Sequence, residues 1–247
     1  PHGQRPQARA ALEKLHAWHR QTQLPGYVQT LHKLRGQMPG DMDAEQACTV
    51  YADVRGKLLA VATQAGPAMA ALVSQLHPEQ LQHMERRFAK NDAEFRDDFI
   101  DTPPQKARAE RSKKAIERAE RLYGRLDAAQ LAVIHQRIDA SSFDARRTYT
   151  ERLRRQQDTL HTLRPLVAQQ APAAAVQTAL HALRERMLVS PDPAYRAYME
   201  QLEQEACATF AALHNSTTPA QRHKAADTLS RYEQDFRVLA GLAAPRT

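Results

Sequence analysis

Residues 76–99 read LHPEQLQHMERRFAKNDAEFRDDF. Leu81, Met84, Phe88, Phe95 and Phe99 recur at steps of three, four and seven, so a helix of about 3.6 residues per turn gathers them on one stripe. Pro78 suits the first helical position, where its missing N–H is not needed. The same alternation of apolar stripe and Pro/Gly break extends in both directions. Leu24-Pro25-Gly26, Met38-Pro39-Gly40 and Gly66-Pro67 close or open segments on the N-terminal side; on the C-terminal side Pro103-Pro104 opens the next segment and Gly124 ends it. Tyr51, Val54, Leu58 and Val61 share one face of 44–64. Period-two alternation over a strand's length is missing. The pattern predicts an all-α fold, an elongated multi-helix bundle of about nine helices with no sheet. It reads as a single helical domain over 1–247, with a candidate subdivision near 101–105.

Composition agrees. Eight glycines in 247 residues argue against a turn-rich β protein. Aromatics make up 6% of a chain that is 42% hydrophobic, so the core must be built mainly from Leu, Ala, Val, Ile and Met. No stretch approaches the roughly 20 apolar residues of a membrane span. The chain begins at Pro1 without an initiator Met, as expected if an upstream segment has been removed. Cys48 and Cys207 are too few for a metal motif. In a reducing compartment they are ordinary thiols, and in an oxidising one they are a candidate disulfide.

The net charge of +7 is unevenly spread. Asp92, Glu94, Asp97, Asp98 and Asp101 form an acidic run. A basic run with Arg108, Arg111, Lys114 and Arg118 follows, and Arg147 and Arg154 belong to a second. The acidic run and the first basic run are adjacent in sequence and suit an antiparallel helix pair. Solvated helix faces are the alternative for each run.

One signature recurs: an apolar residue, a capping residue, two variable residues and Gln. It occurs as Leu76-His77-Pro78-Glu79-Gln80 and Leu126-Asp127-Ala128-Ala129-Gln130, with weaker copies ending at Gln46 and Gln221. The spacing describes a helix start. The second residue caps free N–H groups, Gln at the third helical position reaches back to the cap, and Leu76 or Leu126 staples onto the next turn. His77 is a poor cap, and Arg222 replaces the apolar staple partner after Gln221.

These helix starts resemble the repeated Leu-Thr-x-x-Gln motifs of the Spy and CpxP group of periplasmic proteins, basic helical molecules that include chaperones working without ATP. A closer resemblance covers roughly the first 140 residues. Trp18-His19-Arg20 followed by Leu24-Pro25 and Tyr27 resembles the Trp-His-Arg…Leu-Pro-x-Tyr signature of an uncharacterised family of bacterial helical lipoproteins. Residues 123–130 resemble that family's aromatic-Gly-x-Leu-Thr-x-x-Gln element. The resemblance implies a periplasmic protein carrying a lipid anchor on a preceding segment.

No residues present a catalytic, cofactor-binding or metal-binding pattern. Glu13, His16 and His19 lie along one helix face, but without His-Glu-x-x-His order. Gly-x-Ser-x-Gly and the phosphate-binding glycine loop are also missing. The expectation is a non-catalytic periplasmic lipoprotein that binds an envelope protein or unfolded client in a chaperone-like way. Arg108, Arg111, Lys114, Arg118, Arg147 and Arg154 are its candidate client contacts. A structural adaptor for one envelope partner is the alternative. A cytosolic nucleic-acid binder is a third reading, disfavoured because the basic runs hold few aromatics for stacking.

Overall fold

The computed structural model describes residues 4–242, of which 84% are helical and none belongs to a strand. Eleven α-helices occur among them. They are α1 (Gln4–Trp18), α2 (Leu24–Gln37), α3 (Ala44–Gln64), α4 (Gly66–Val73), α5 (Pro78–Phe99) and α6 (Pro104–Tyr123). The rest are α7 (Ala128–Asp139), α8 (Ala145–Ala168), α9 (Ala173–Leu188), α10 (Pro193–Asn215) and α11 (Pro219–Leu239). Pro1 lies outside the described residues.

One of the expected breaks is absent. Between α1 and α2 the chain stays helical through a π-helical turn, His19–Gln23, and Pro25 falls in the first turn of α2, where proline is tolerated. Pro165 lies inside α8 rather than after it, and the helix runs on to Ala168.

Contacts divide the chain into two compact units, each drawn from three stretches. The first comprises 1–15, 61–107 and 143–200; the second comprises 16–60, 108–142 and 201–247. Helices distant in sequence pack together, so no composition shift along the chain marks the division. The crossing between 107 and 108 lies close to the Pro103-Pro104 break.

In the first unit the core centres on Ala70, Val73, Leu81, Leu163, Val167 and Val176. The acidic end of α5 pairs with α8, not with α6. Asp92, 8% exposed, accepts from Arg152 Nε at 2.6 Å and Gln156 Nε2 at 2.8 Å, and Arg164 pairs with Glu85. These contacts make α5 and α8 antiparallel. Aromatic packing extends the seam: Phe95 stacks on Tyr149 with centroids 5.9 Å apart.

In the second unit Met38, Met42, Tyr123, Ile134, Leu213 and Leu229 lie at the centre of the core. Helices α2 and α11 pack along their length. Tyr27 meets Phe236 at 5.9 Å, and Arg35 and His32 lie 3.3 and 3.4 Å from the buried Glu233 carboxylate. Cys48 on α3 and Cys207 on α10 are joined as a disulfide, with Cα atoms 5.3 Å apart. Helix α3 is held by this bond, by Ala47 and by polar contacts such as Thr30 Oγ1 to Asp53 at 2.6 Å. Its stripe of Tyr51, Val54 and Leu58 is 46%, 45% and 64% exposed, so the apolar face legible in sequence is not a core face.

All four Gln-bearing helix starts form. Asp43–Gln46, Asp127–Gln130 and Thr218–Gln221 each exchange both capping bonds. At His77 the Gln80 side chain accepts from the His77 N–H at 3.0 Å, while the Gln80 N–H returns to the His77 carbonyl. Leu126 is buried, and Leu76 packs on the core around Leu81. The copies at 127 and 218 also meet one another. Gln130 and Gln221 donate to each other's amide oxygen at 2.7 and 2.9 Å; Gln130 Nε2 also donates to the Ser216 carbonyl, and Gln221 Nε2 to the Arg125 carbonyl. Arg222, in place of a staple residue, reaches Asp41 at 2.6 Å and the Pro39 carbonyl at 3.1 Å.

Two outcomes follow. Gln130→Ala removes a cap together with its bonds to the Ser216 carbonyl and the half-buried Gln221 amide, at a cost of about 2 kcal/mol. Gln80→Ala, which removes a single helix-start cap, costs about 1 kcal/mol. Urea titrations followed at 222 nm that give equal losses would refute the Gln–Gln lock. Reduction of Cys48–Cys207, which closes a separation of 159 residues, lowers stability by up to about 5 kcal/mol in the chain-entropy model. A melting temperature unchanged by reductant would count against it.

Candidate functional site

Helix α6 ends at Tyr123 because Gly124 adopts φ +79°, a left-handed conformation that favours glycine. The turn is short: Leu126 staples, Asp127 caps, and α7 runs back along α6. Helix α10 closes the arrangement through two polar ties. At one end Arg111 Nη2 donates to Ser141 Oγ at 3.1 Å, and Ser141 Oγ donates to Glu205 at 3.0 Å. At the other end Tyr123 and His214 hydrogen-bond at 2.9 Å. Arg111 therefore lies level with Glu205 and Tyr123 level with His214, so α6 and α10 are parallel and α7 is antiparallel to both.

Between the ties lies a groove of about 460 Å³. From Arg111 to Tyr123 it follows α6 for roughly 18 Å at 1.5 Å per residue. Each wall is a helical stripe. Ala115, Ala119 and Leu122 come from α6, Ile134 and Ile138 from α7, and Leu202, Ala206 and Phe210 are among those from α10. Arg111, Arg118 and Arg137 stand along this apolar floor, with Glu205 as the single carboxylate in the lining. Arg118 and Arg137 are exposed and make no ion pair among the described residues. Burial pushes the Glu205 carboxyl up, but hydrogen bonds from Ser142 and Ser141 outweigh this and hold it below the usual range. It stays charged and already engaged.

The tie at Tyr123 is buried, with Tyr123 1% exposed and His214 fully enclosed. His214 Nε2 lies 2.8 Å from the Gly40 carbonyl, which can only accept, so the proton sits on Nε2 and Tyr123 O–H donates to Nδ1. Burial lowers the His214 pKa and raises that of Tyr123 above its ordinary range. The Gly40 contact opposes the shift at His214 without cancelling it.

The six cations singled out from sequence divide between the two units. Arg111 and Arg118 line the groove; Lys114 pairs with Glu110 at 3.6 Å, and Arg108 is exposed outside the lining. Arg147 and Arg154 belong to the first unit and are structural. Arg147 donates to the Ala194 carbonyl at 2.6 Å and covers the Tyr198 ring at 4.7 Å. Arg154 holds the buried Glu151 through two bonds of 2.8 and 2.9 Å, reaches Asp158, and donates to the Arg186 carbonyl. Arg137 was not singled out. Its signal is a cation beside the Ile134–Ile138 stripe of a short helix.

The Trp18–Tyr27 signature builds the π-turn. Trp18 ends α1, and His19 and Arg20 form the turn. Leu24 is 3% exposed, Pro25 opens α2, and His19 lies edge-on to Tyr27 at 5.3 Å. Among the described residues no three His, Cys, Asp or Glu side chains gather as a metal site. No single described helix is long and apolar enough to cross a membrane, although α3 and α4 reach that measure as a pair bent by 42°.

The model of a family of unknown function, DUF6279, matches residues 2–183. No curated protein and no solved structure matches the chain.

The buried histidine predicts an acid-sensitive second unit. Its folded pKa lies below the unfolded value of about 6.5, so the unfolded chain takes up the proton first. Its contribution to stability is fully present above that value and is lost as the pH falls from there through the folded pKa. Unfolding midpoints measured between pH 7.5 and 5 should fall in the wild type and flatten in His214→Gln. Equal slopes in the two proteins would exclude this source.

Proposed function

The chain belongs to the DUF6279 family, whose function is unknown, and we propose from its own geometry that it is a non-catalytic binding protein of the periplasm, lipid-anchored through a preceding segment, that holds an envelope protein client in a chaperone-like way. The observation that carries this reading is the groove of the second unit. It combines an apolar floor with two exposed guanidinium groups, Arg118 and Arg137, that no carboxylate neutralises among the described residues. Cations of this kind draw acidic chains from a distance and orient them, while apolar contact sets how long they stay. The Cys48–Cys207 disulfide supports an oxidising compartment, since such bonds persist there and are rare in the cytosol. The lipoprotein-like signature at Trp18–Tyr27 and the Spy/CpxP-like helix starts support the same location.

The test follows aggregation of a reduced or heat-stressed client with and without the oxidised protein. Suppression is expected at low salt, weaker at high salt, and weaker still for Arg118→Ala/Arg137→Ala. No suppression at several-fold molar excess would overturn the chaperone reading and leave the adaptor for a single envelope partner.

A further inference from the structure

We infer that the groove between α6, α7 and α10 receives an acidic amphipathic α-helix of the partner protein, which packs against all three. The inference rests on the binding reading above and specifies what is bound. The walls are helical stripes. Leu202, Ala206 and Phe210 on α10 repeat at i, i+4 and i+8, and Ala115, Ala119 and Leu122 on α6 follow the i, i+4, i+7 pattern. Such ridges accept the ridges of another helix at ordinary interaxial distances.

An extended peptide fits less well. It needs main-chain partners, and the backbone groups of these walls are already used within their own helices. A helix arrives with its backbone satisfied and offers only side chains. The available length of roughly 18 Å matches about three turns.

Charge selects the sign of the occupant. Arg118 on α6 and Arg137 on α7 flank the floor without ion-pair partners among the described residues, and Arg111 stands two turns before Arg118. Glu or Asp residues beside the apolar stripe of the incoming helix would meet them. A fatty acid or lysolipid fits less well. The groove is open along its length, whereas small-ligand sites enclose most of their ligand, and Glu205 places a carboxylate at one end.

The test uses the full oxidised chain and a fluorescein-labelled 14-residue peptide with Leu at helical spacing and Glu on both flanks. Controls are a scrambled peptide of the same composition, a Glu→Lys version, and dodecanoate as competitor. The acidic peptide should bind, gain ellipticity at 222 nm on binding, and lose affinity with salt. Arg118→Glu/Arg137→Glu, checked for folding by its own melting curve, should weaken binding on the order of ten-fold. Equal binding of the scrambled peptide, indifference to the double variant, or stoichiometric displacement by dodecanoate would each overturn the inference. If the peptide fails but client protection persists and depends on Arg118 and Arg137, the binding reading stands without the helix. If protection is absent too, both fall.

Discussion

Gln130 is a primary amide that is 1% exposed, and burying such a group unpaired would cost several kcal/mol. Here each of its hydrogen-bonding positions is filled. Its two N–H bonds go to the Ser216 carbonyl and Gln221 Oε1, while its oxygen accepts from the Asp127 N–H and Gln221 Nε2. Gln221 is filled in the same way by Arg125, Thr218 and Gln130. Two helix starts that would otherwise repel, with their positive ends close together, are joined through two neutral amides. The satisfied pair fixes where α7 and α11 begin, and with that the direction in which α7 returns along α6.

The groove depends on this geometry. With the start of α7 pinned at Gln130, its far end is set by Ser141, which sits between Arg111 and Glu205. On the other side the Tyr123–His214–Gly40 chain holds α10 against α6 and against the loop before α3. Asn215 adds a reciprocal pair with the Met42 backbone, 2.9 Å in each direction. The floor is therefore framed by polar contacts, one buried and the rest half-buried, in place of the bulky aromatics that the composition withholds. Apolar packing supplies the bulk of the stabilisation, and the polar ties decide which arrangement of the helices is the stable one.

Much of the local structure was legible because it follows from local chemistry. The stripe from Leu81 to Phe99 announced α5, and Asp127 with Gln130 announced the start of α7. Long-range choices were not legible. Asp92 is adjacent in sequence to the basic run of α6, yet it pairs with Arg152 of α8, because packing rather than proximity along the chain selects the partner. Arg154 and Arg118 look alike in sequence. One is bound to Glu151, Asp158 and a carbonyl, while the other stands at a groove, and only the fold separates them. Pro25 was over-read as a stop, since a π-turn brings it to the one helical turn that accepts proline. The Tyr51–Val54–Leu58 stripe shares one face as its spacing implies yet stays exposed, since periodicity reports an apolar face and not what covers it.

The pairing of α2 with α11 carries a consequence for how the second unit comes into being. Helix α2 finds its main neighbour far along the chain: Arg35 meets Ser230, 195 residues on, and Glu233, and Tyr27 meets Phe236. A chain that emerges from its N-terminus onward, whether from a ribosome or through a translocation pore, leaves α2 with an uncovered edge until α11 has appeared. Local helices form early and cheaply, but closure waits on contacts of high sequence separation. The Cys48 thiol likewise has no partner until Cys207 has followed it out. The unit's topology thus sets a period of exposure in which the newly made chain is open to chaperones and to thiol oxidants.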